Sequence, residues 1–189
     1  QRLIESIYLR KEKNMPTLTW KDSRLSANDV APWDTTIFFV GPSTPLAELV
    51  SDSVRWCQQN QGSSLNLMIY CHGSPGHLYI CKEGIIRTNL NKLAPLKPYF
   101  DEISIHACLI AKGRKGRAFC QLMASVLFAW VTGAEELQYN TGVHTIYGWL
   151  DDMRLDGKYY KHLPSGERQG PCTNKILHPR QPLQISTDQ

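Results

Sequence analysis

Two apolar runs of strand length limit what this chain can become: Leu65-Asn66-Leu67-Met68-Ile69-Tyr70-Cys71 and Ile103-Ser104-Ile105-His106-Ala107. Each stops abruptly, the first at His72-Gly73-Ser74-Pro75-Gly76 and the second at Cys108. Short, mainly apolar runs bounded by turn signals read as buried strands, since a buried helix would be longer. Two such strands in one sheet deliver a His and a Cys to its carboxyl edge. A cysteine nucleophile needs that arrangement, because its base must lie near the thiol in space and not in sequence.

The rest of the chain supplies the helices that such a sheet requires. Thr36-Ile37-Phe38-Phe39-Val40 reads as a buried strand broken by Gly41-Pro42. From Pro45 the period changes. Leu46, Leu49, Val50, Val54 and Cys57 recur at three and four residues, which predicts an amphipathic helix with Pro45 in its first turn. Leu78 to Ile80 and Ile85 to Arg87 predict a small hairpin around Lys82-Glu83-Gly84. Leu90, Leu93 and Leu96 predict a short helix, and Pro95 and Pro98 end it. Gly113 to Gly116 opens a longer helix, with Phe119, Leu122, Met123, Val126 and Leu127 toward the core. A final strand pair is expected from 130–132 and 143–149. Buried strands alternating with helices imply an α/β sandwich with a mostly parallel sheet. Ligands of such sheets sit beyond the carboxyl ends of the strands, where His72 and Cys108 are expected.

The domain reading that follows is a leader or wrapping segment at 1–35, a catalytic domain at 36–157 and a mostly irregular tail at 158–189. The tail is polar and contains Pro164, Pro171, Pro179 and Pro182. A chain of 189 residues suits one domain able to bury roughly 70% of its unfolded surface. The start at Gln1 suits a piece of a longer protein. The first residues mix Arg2, Glu5, Arg10, Lys11, Glu12 and Lys13, without the apolar core of a signal peptide. A net charge of +4 is too mild to imply nucleic acid as partner. No stretch reaches the ~18 apolar residues of a membrane span. The six cysteines, at 57, 71, 81, 108, 120 and 172, contain no CxxC pair, so no zinc site, metal or cofactor is expected. Cys57, Cys71 and Cys120 lie in apolar patterns and read as small buried hydrophobes. The GxSxG elbow, the P-loop, the dinucleotide glycine pattern and the deaminase signature are all missing.

An apolar block ending in His72-Gly73, followed by one ending in Ala107-Cys108, resembles the caspase-like cysteine peptidases of clan CD. The loop His72-Gly73-Ser74-Pro75-Gly76 and the run Cys108-Leu109-Ile110-Ala111-Lys112-Gly113, with Gly116 and then Thr132-Gly133-Ala134, are similar to caspase-like domains of large bacterial surface proteins. The likeness covers roughly residues 36 to 150. It implies a caspase-like three-layer sandwich, a mostly parallel sheet with helices on both faces. It also implies a bacterial effector, toxin or self-processing module, secreted or delivered, that cleaves a protein or peptide substrate.

The resemblance further implies site roles. Cys108 is the nucleophile, and His72 takes the thiol proton and later protonates the leaving amine. A free thiol titrates near ~8.5, so a neighbouring imidazole and the end of the following helix assist thiolate formation. The N–H groups of Gly73 and Cys108 form an oxyanion hole, each donor worth roughly 3–4 kcal/mol in the transition state. His106 departs from the family pattern. On a strand it shares a face with residue 108, so it competes with His72 as the thiol's partner or lines a substrate pocket. Asp151 and Asp152 are a further candidate for that pocket, favouring a basic P1 side chain, or else a solvated turn. Lys112, Arg114, Lys115 and Arg117 gather at a helix N-terminus, where an anionic activator would bind if they are not simply solvated. Two other functions stay open: a catalytically silent caspase-like binding or toxin module, and a Cys-His acyltransferase.

Overall fold

The computed structural model describes residues 16–25, 35–60, 64–138, 143–145, 148–150 and 157–174. Seven strands form one sheet. In sheet order they are β2 (Thr35–Val40), β1 (Thr17–Asp22), β3 (Leu65–Tyr70), β7 (Phe100–His106), β8 (Trp130–Ala134), β11 (Gly157–His162) and β12 (Arg168–Asn174). The first five run parallel, and β11 and β12 are antiparallel to their neighbours. The expected α/β architecture with a mostly parallel sheet is therefore observed. Three short strands, β4 (His72–Ser74), β5 (His77–Tyr79) and β6 (Ile85–Ile86), make a small antiparallel sheet after β3. β9 (Val143–Thr145) pairs with β10 (Gly148–Leu150) in a separate hairpin.

Helix α1 (Leu46–Gln59), a 3-10 helix (Leu90–Leu96) and helix α2 (Gly113–Leu127) pack on one face of the sheet. Strand alternation turns Leu18, Trp20, Leu67, Ile69, Ile103, Ile105 and Val131 onto that face, against Leu49, Leu93, Phe119 and Met123 of the helices. Burying each such side chain contributes about 1.5–3 kcal/mol. Trp20 fills the centre, and its indole N–H donates to Ser53 Oγ at 2.9 Å, so the buried nitrogen is satisfied. The opposite face carries Thr19, Lys21, Met68, Tyr70, Ser104, His106 and Thr132. No described helix covers that face, so helices on both faces are not seen among the described residues.

Four expectations are corrected. The segment at 1–35 is more than a leader or wrapping segment, since residues 17–22 form the inner strand β1. Only Leu18 and Trp20 face the helical layer, and the alternating Thr-Leu-Thr-Trp-Lys-Asp lacks the continuous apolar run expected of an inner parallel strand. The tail is not mostly irregular either, since it supplies β11 and β12. Pro171 is accommodated because β12 is an edge strand, where a missing N–H costs no ladder bond. The run at 36–40 is an edge strand rather than a buried one, and leaves Phe39 69% exposed. Finally, 130–132 and 143–149 do not pair with each other: β8 lies between β7 and β11, while β9 pairs with β10.

Candidate active site

β3 and β7 are adjacent parallel strands with Tyr70 opposite His106, so they end at the same edge of the sheet. The Cys71 N–H still donates to the His106 carbonyl at 3.4 Å. One step further along this register, His72 and Cys108 follow on neighbouring chains. The loops they begin are in contact. A Cβ placed on Gly73 would lie 2.8 Å from Ala107 Cβ and 3.1 Å from the Cys108 carbonyl oxygen. Only a glycine allows that approach, because real Cβ contacts below 3.0 Å essentially do not occur.

The Cys108 loop is held from three sides. The Leu109 N–H donates to the Glu136 carbonyl at 2.9 Å, and the Ala111 N–H to the Ala134 carbonyl at 3.0 Å. The Gly76 N–H, from the loop that begins at His72, donates to the Ile110 carbonyl at 3.1 Å. Beneath it, α2 packs so closely that a Cβ on Gly116 would lie 2.4 Å from the Ile110 oxygen. Leu109 itself has φ of 57°, a left-handed conformation that costs a non-glycine residue roughly 1–3 kcal/mol. Strain of this sort persists only where the surroundings over-determine it, and here it adjoins the candidate nucleophile.

The thiols differ sharply in setting. Cys57, Cys71, Cys81 and Cys120 are buried, whereas Cys108 and Cys172 are partly exposed. Burial pushes Cys57 up to about 11 and Cys120 up to about 12. It raises Cys81 as well, and Cys71 most of all, with the Asp22 carboxylate adding to the rise. Cys57, Cys71 and Cys120 are thus the small buried hydrophobes expected of them. Cys108 Sγ donates to the Gln138 carbonyl at 3.6 Å. No backbone carbonyl among the described residues accepts the Cys108 N–H. His72 is exposed and makes no hydrogen bond to Cys108.

His106 occupies a different position from the one that strand alternation suggested. β7 ends at His106, and the chain turns before Cys108. The His106 ring is buried, stacked on Tyr70 with centroids 4.3 Å apart and planes 12° apart. Its Nε2 lies 3.2 Å from Ser104 Oγ. Burial holds it down at about 4, so it is neutral over the physiological range. It is a packed side chain of the sheet face and offers substrate no open surface. Asp151 and Asp152 lie outside the described residues. The basic group does not act as one cluster. Arg117 turns away to Glu135, Nη1 to Oε1 2.8 Å, while Arg114 and Lys115 line a cavity that Lys112 does not reach.

Two features escaped the sequence. Asp22, 1% exposed at the end of β1, is forked by Arg24, with Nε to Oδ1 at 2.9 Å and Nη2 to Oδ2 at 2.6 Å. Arg24 Nη2 also donates to the Tyr79 carbonyl, and Tyr79 is the β5 partner of His72. The clamp therefore fixes the hairpin from which His72 projects. The second is Arg87, which faces Arg114 and Lys115 from the other wall of the cavity. An Asp two residues before an Arg at a strand end is the only sequence signal of the first, and the second has none. Among the described residues no group of three His, Cys, Asp or Glu side chains could hold a metal ion, and no helix is long and apolar enough to cross a membrane.

No protein-family model, no curated protein and no solved structure matches this chain.

Proposed function

We propose that this chain is a caspase-like cysteine endopeptidase in which Cys108 is the nucleophile and His72 the general base and acid. One observation carries the reading. A partly exposed thiol just past the end of β7 sits on a loop whose backbone touches the loop begun by His72. The Cys108 proton passes to His72, and Sγ attacks the scissile carbonyl. His72 returns the proton to the departing amine, leaving a thioester that water, deprotonated by His72, then hydrolyses. The tetrahedral oxyanion takes hydrogen bonds from the Cys108 N–H and the Gly73 N–H. To engage His72, Cys108 Sγ must release the Gln138 carbonyl. Catalytic hydrogen bonds are often long in unliganded enzymes and tighten when substrate arrives. Delivery as a bacterial effector, toxin or self-processing module is part of the same proposal, on the likeness of the two loops to such proteins.

The bond from Cys108 to Gln138 favours one competing reading, a silent caspase-like binding module whose thiol is only a loop anchor. Intact-mass labelling with a low dose of iodoacetamide at pH 6.5 decides between them, with peptide mapping on wild type and His72→Ala. The peptidase reading expects Cys108 to label fastest and to lose that lead in His72→Ala. Equal labelling of Cys108 and Cys172, unchanged in the variant, would refute it. A peptide library read by mass spectrometry then separates hydrolysis from acyl transfer, which the same dyad would support.

A further inference from the structure

A cavity of about 730 Å³ lies beside the His72 loop, within the roughly 300–1,000 Å³ of ordinary ligand clefts. One wall is Gly76 and His77, directly downstream of His72. A second, at the exit of β6, carries Arg87, and the third is the first two turns of α2 with Arg114, Lys115 and Phe119. Three cationic side chains from two separate elements thus surround one void, and no carboxylate lines it. Among the described residues none of the three has an ion-pair partner, although Arg24, Arg117 and Lys161 each do. The N-terminus of α2 strengthens the field. Its first turn holds no acidic residue and its N-cap makes no side-chain hydrogen bond, so the positive end of the helix dipole is uncompensated. Burial and the neighbouring Lys115 both hold His77 below its ordinary value, consistent with a cavity already rich in positive charge.

We infer that this cavity binds an acidic stretch of a polypeptide substrate, with Arg87, Arg114 and Lys115 meeting its carboxylates. The inference takes the peptidase reading as its premise for the class of molecule that arrives. The Gly76–His77 wall and the α2 wall follow directly in sequence on the loops that begin at His72 and Cys108, and the Gly76 N–H is bonded to the Ile110 carbonyl of the Cys108 loop at 3.1 Å, so the cavity adjoins the elements that carry the proposed reaction centre. The lining fits a peptide better than a compact anion. Ile86, Ala118 and Phe119 add apolar lining for backbone and side-chain stems, and the cations are exposed and come from two separate elements rather than one. Carboxylates spaced along a chain match spread charges, and complementary charge of this kind confers specificity and speeds encounter.

The test is fluorescence anisotropy of a labelled Glu-rich peptide with the Cys108→Ala protein, at low salt and at moderate salt. Because that protein cannot turn over, its binding is independent of catalysis. Failure of the peptidase reading shows instead in the labelling experiment above. The Glu-rich peptide is expected to bind about tenfold or more tightly than its Gln analogue, with the preference weakening as salt screens it. Arg87→Gln/Arg114→Gln/Lys115→Gln alters only exposed side chains and is expected to abolish the preference. Lys92→Gln/Lys97→Gln, exposed elsewhere, should keep it. Equal binding of the two peptides, or an unchanged preference in the triple variant, would overturn the inference. So would tight binding of inorganic tripolyphosphate with no peptide binding, which would make the cavity a small-anion activator site.

Discussion

Acid should destabilise this fold through a histidine that the proposed chemistry does not use. His106 is 2% exposed, stacked on Tyr70, and held at about 4 by burial. In the unfolded chain a histidine titrates near ~6.5. Between these values the unfolded state binds a proton that the folded state refuses, so stability falls as pH falls. The contribution is complete above about 6.5 and is lost progressively down to about 4. Integrated from pH 7.5 to pH 4.5, it amounts to about 2.5 kcal/mol, a large part of the margin of an ordinary domain. His162 adds to the same limb. It is 1% exposed, its Nε2 has no hydrogen-bond partner, and it too is held at about 4, by burial first and then by Arg168 and Arg117. The variant His106→Gln keeps a polar group for Ser104 but cannot titrate. Its stability at pH 7.5 should drop by about 0.5–1.5 kcal/mol for the lost stacking. Its further loss on acidification should be about 2.5 kcal/mol smaller than that of wild type. Urea denaturation across the range measures both. Parallel acid limbs in the two proteins would refute the assignment of a neutral, buried His106.

The two close glycine contacts and the arginine clamp give three more expectations. Gly116→Ala pushes a Cβ to within 2.4 Å of a backbone oxygen that cannot yield, so it should cost about 3 kcal/mol in urea melts, the upper end of overpacking costs. Gly73→Ala meets Ala107 Cβ and the Cys108 oxygen, and should cost about 1–3 kcal/mol while slowing alkylation of Cys108. A variant that melts early yet alkylates at the wild-type rate would contradict the contact between the loops. Arg24→Lys keeps the charge and loses the fork; with Arg24 nearly half exposed, the global cost should be only about 1 kcal/mol. Hydrogen exchange should quicken locally in β4 and β5, and unchanged exchange there would remove the clamp from the positioning of His72.

Legibility in the sequence followed the strength of the local pattern. α1, the 3-10 helix, α2, β3 and β7 each carry a period that survives in isolation, because one stripe or one whole run is apolar. β1 failed that test. Its Lys21 and Asp22 look like surface residues, yet both are buried, and Asp22 is satisfied by an arginine fork that no periodicity announces. β11 and β12 were hidden by Gly and Pro, residues tolerated there because the sheet ends at β12. The competition between His72 and His106 turned on where β7 stops. Same-face alternation holds only while the strand continues, and the turn after Ala107 sends Cys108 elsewhere. The cavity was half legible: Arg114 and Lys115 adjoin in sequence, while Arg87 reaches them only through the fold of β4 to β6.

The His-Gly and Ala-Cys pairs are packing constraints as much as chemical ones. Parallel neighbours must end at the same edge, so any two loops leaving β3 and β7 are forced together. They touch here because Gly73 has no side chain and Ala107 a minimal one. A silent fold would need those two small residues just as an enzyme does, so the pairs alone carry no catalytic information. The discriminating features are those that packing does not require. On the proposed reading the left-handed Leu109 beside the thiol and a Cys108 N–H that no described backbone carbonyl accepts both have a use. A loop anchor would not need a partly exposed thiol when the four cysteines nearest the core are buried and held protonated. A left-handed Leu109, a Cys108 N–H that no described backbone carbonyl accepts and a partly exposed Cys108 adjoin one another, and the proposed nucleophile with its oxyanion donor would use all three.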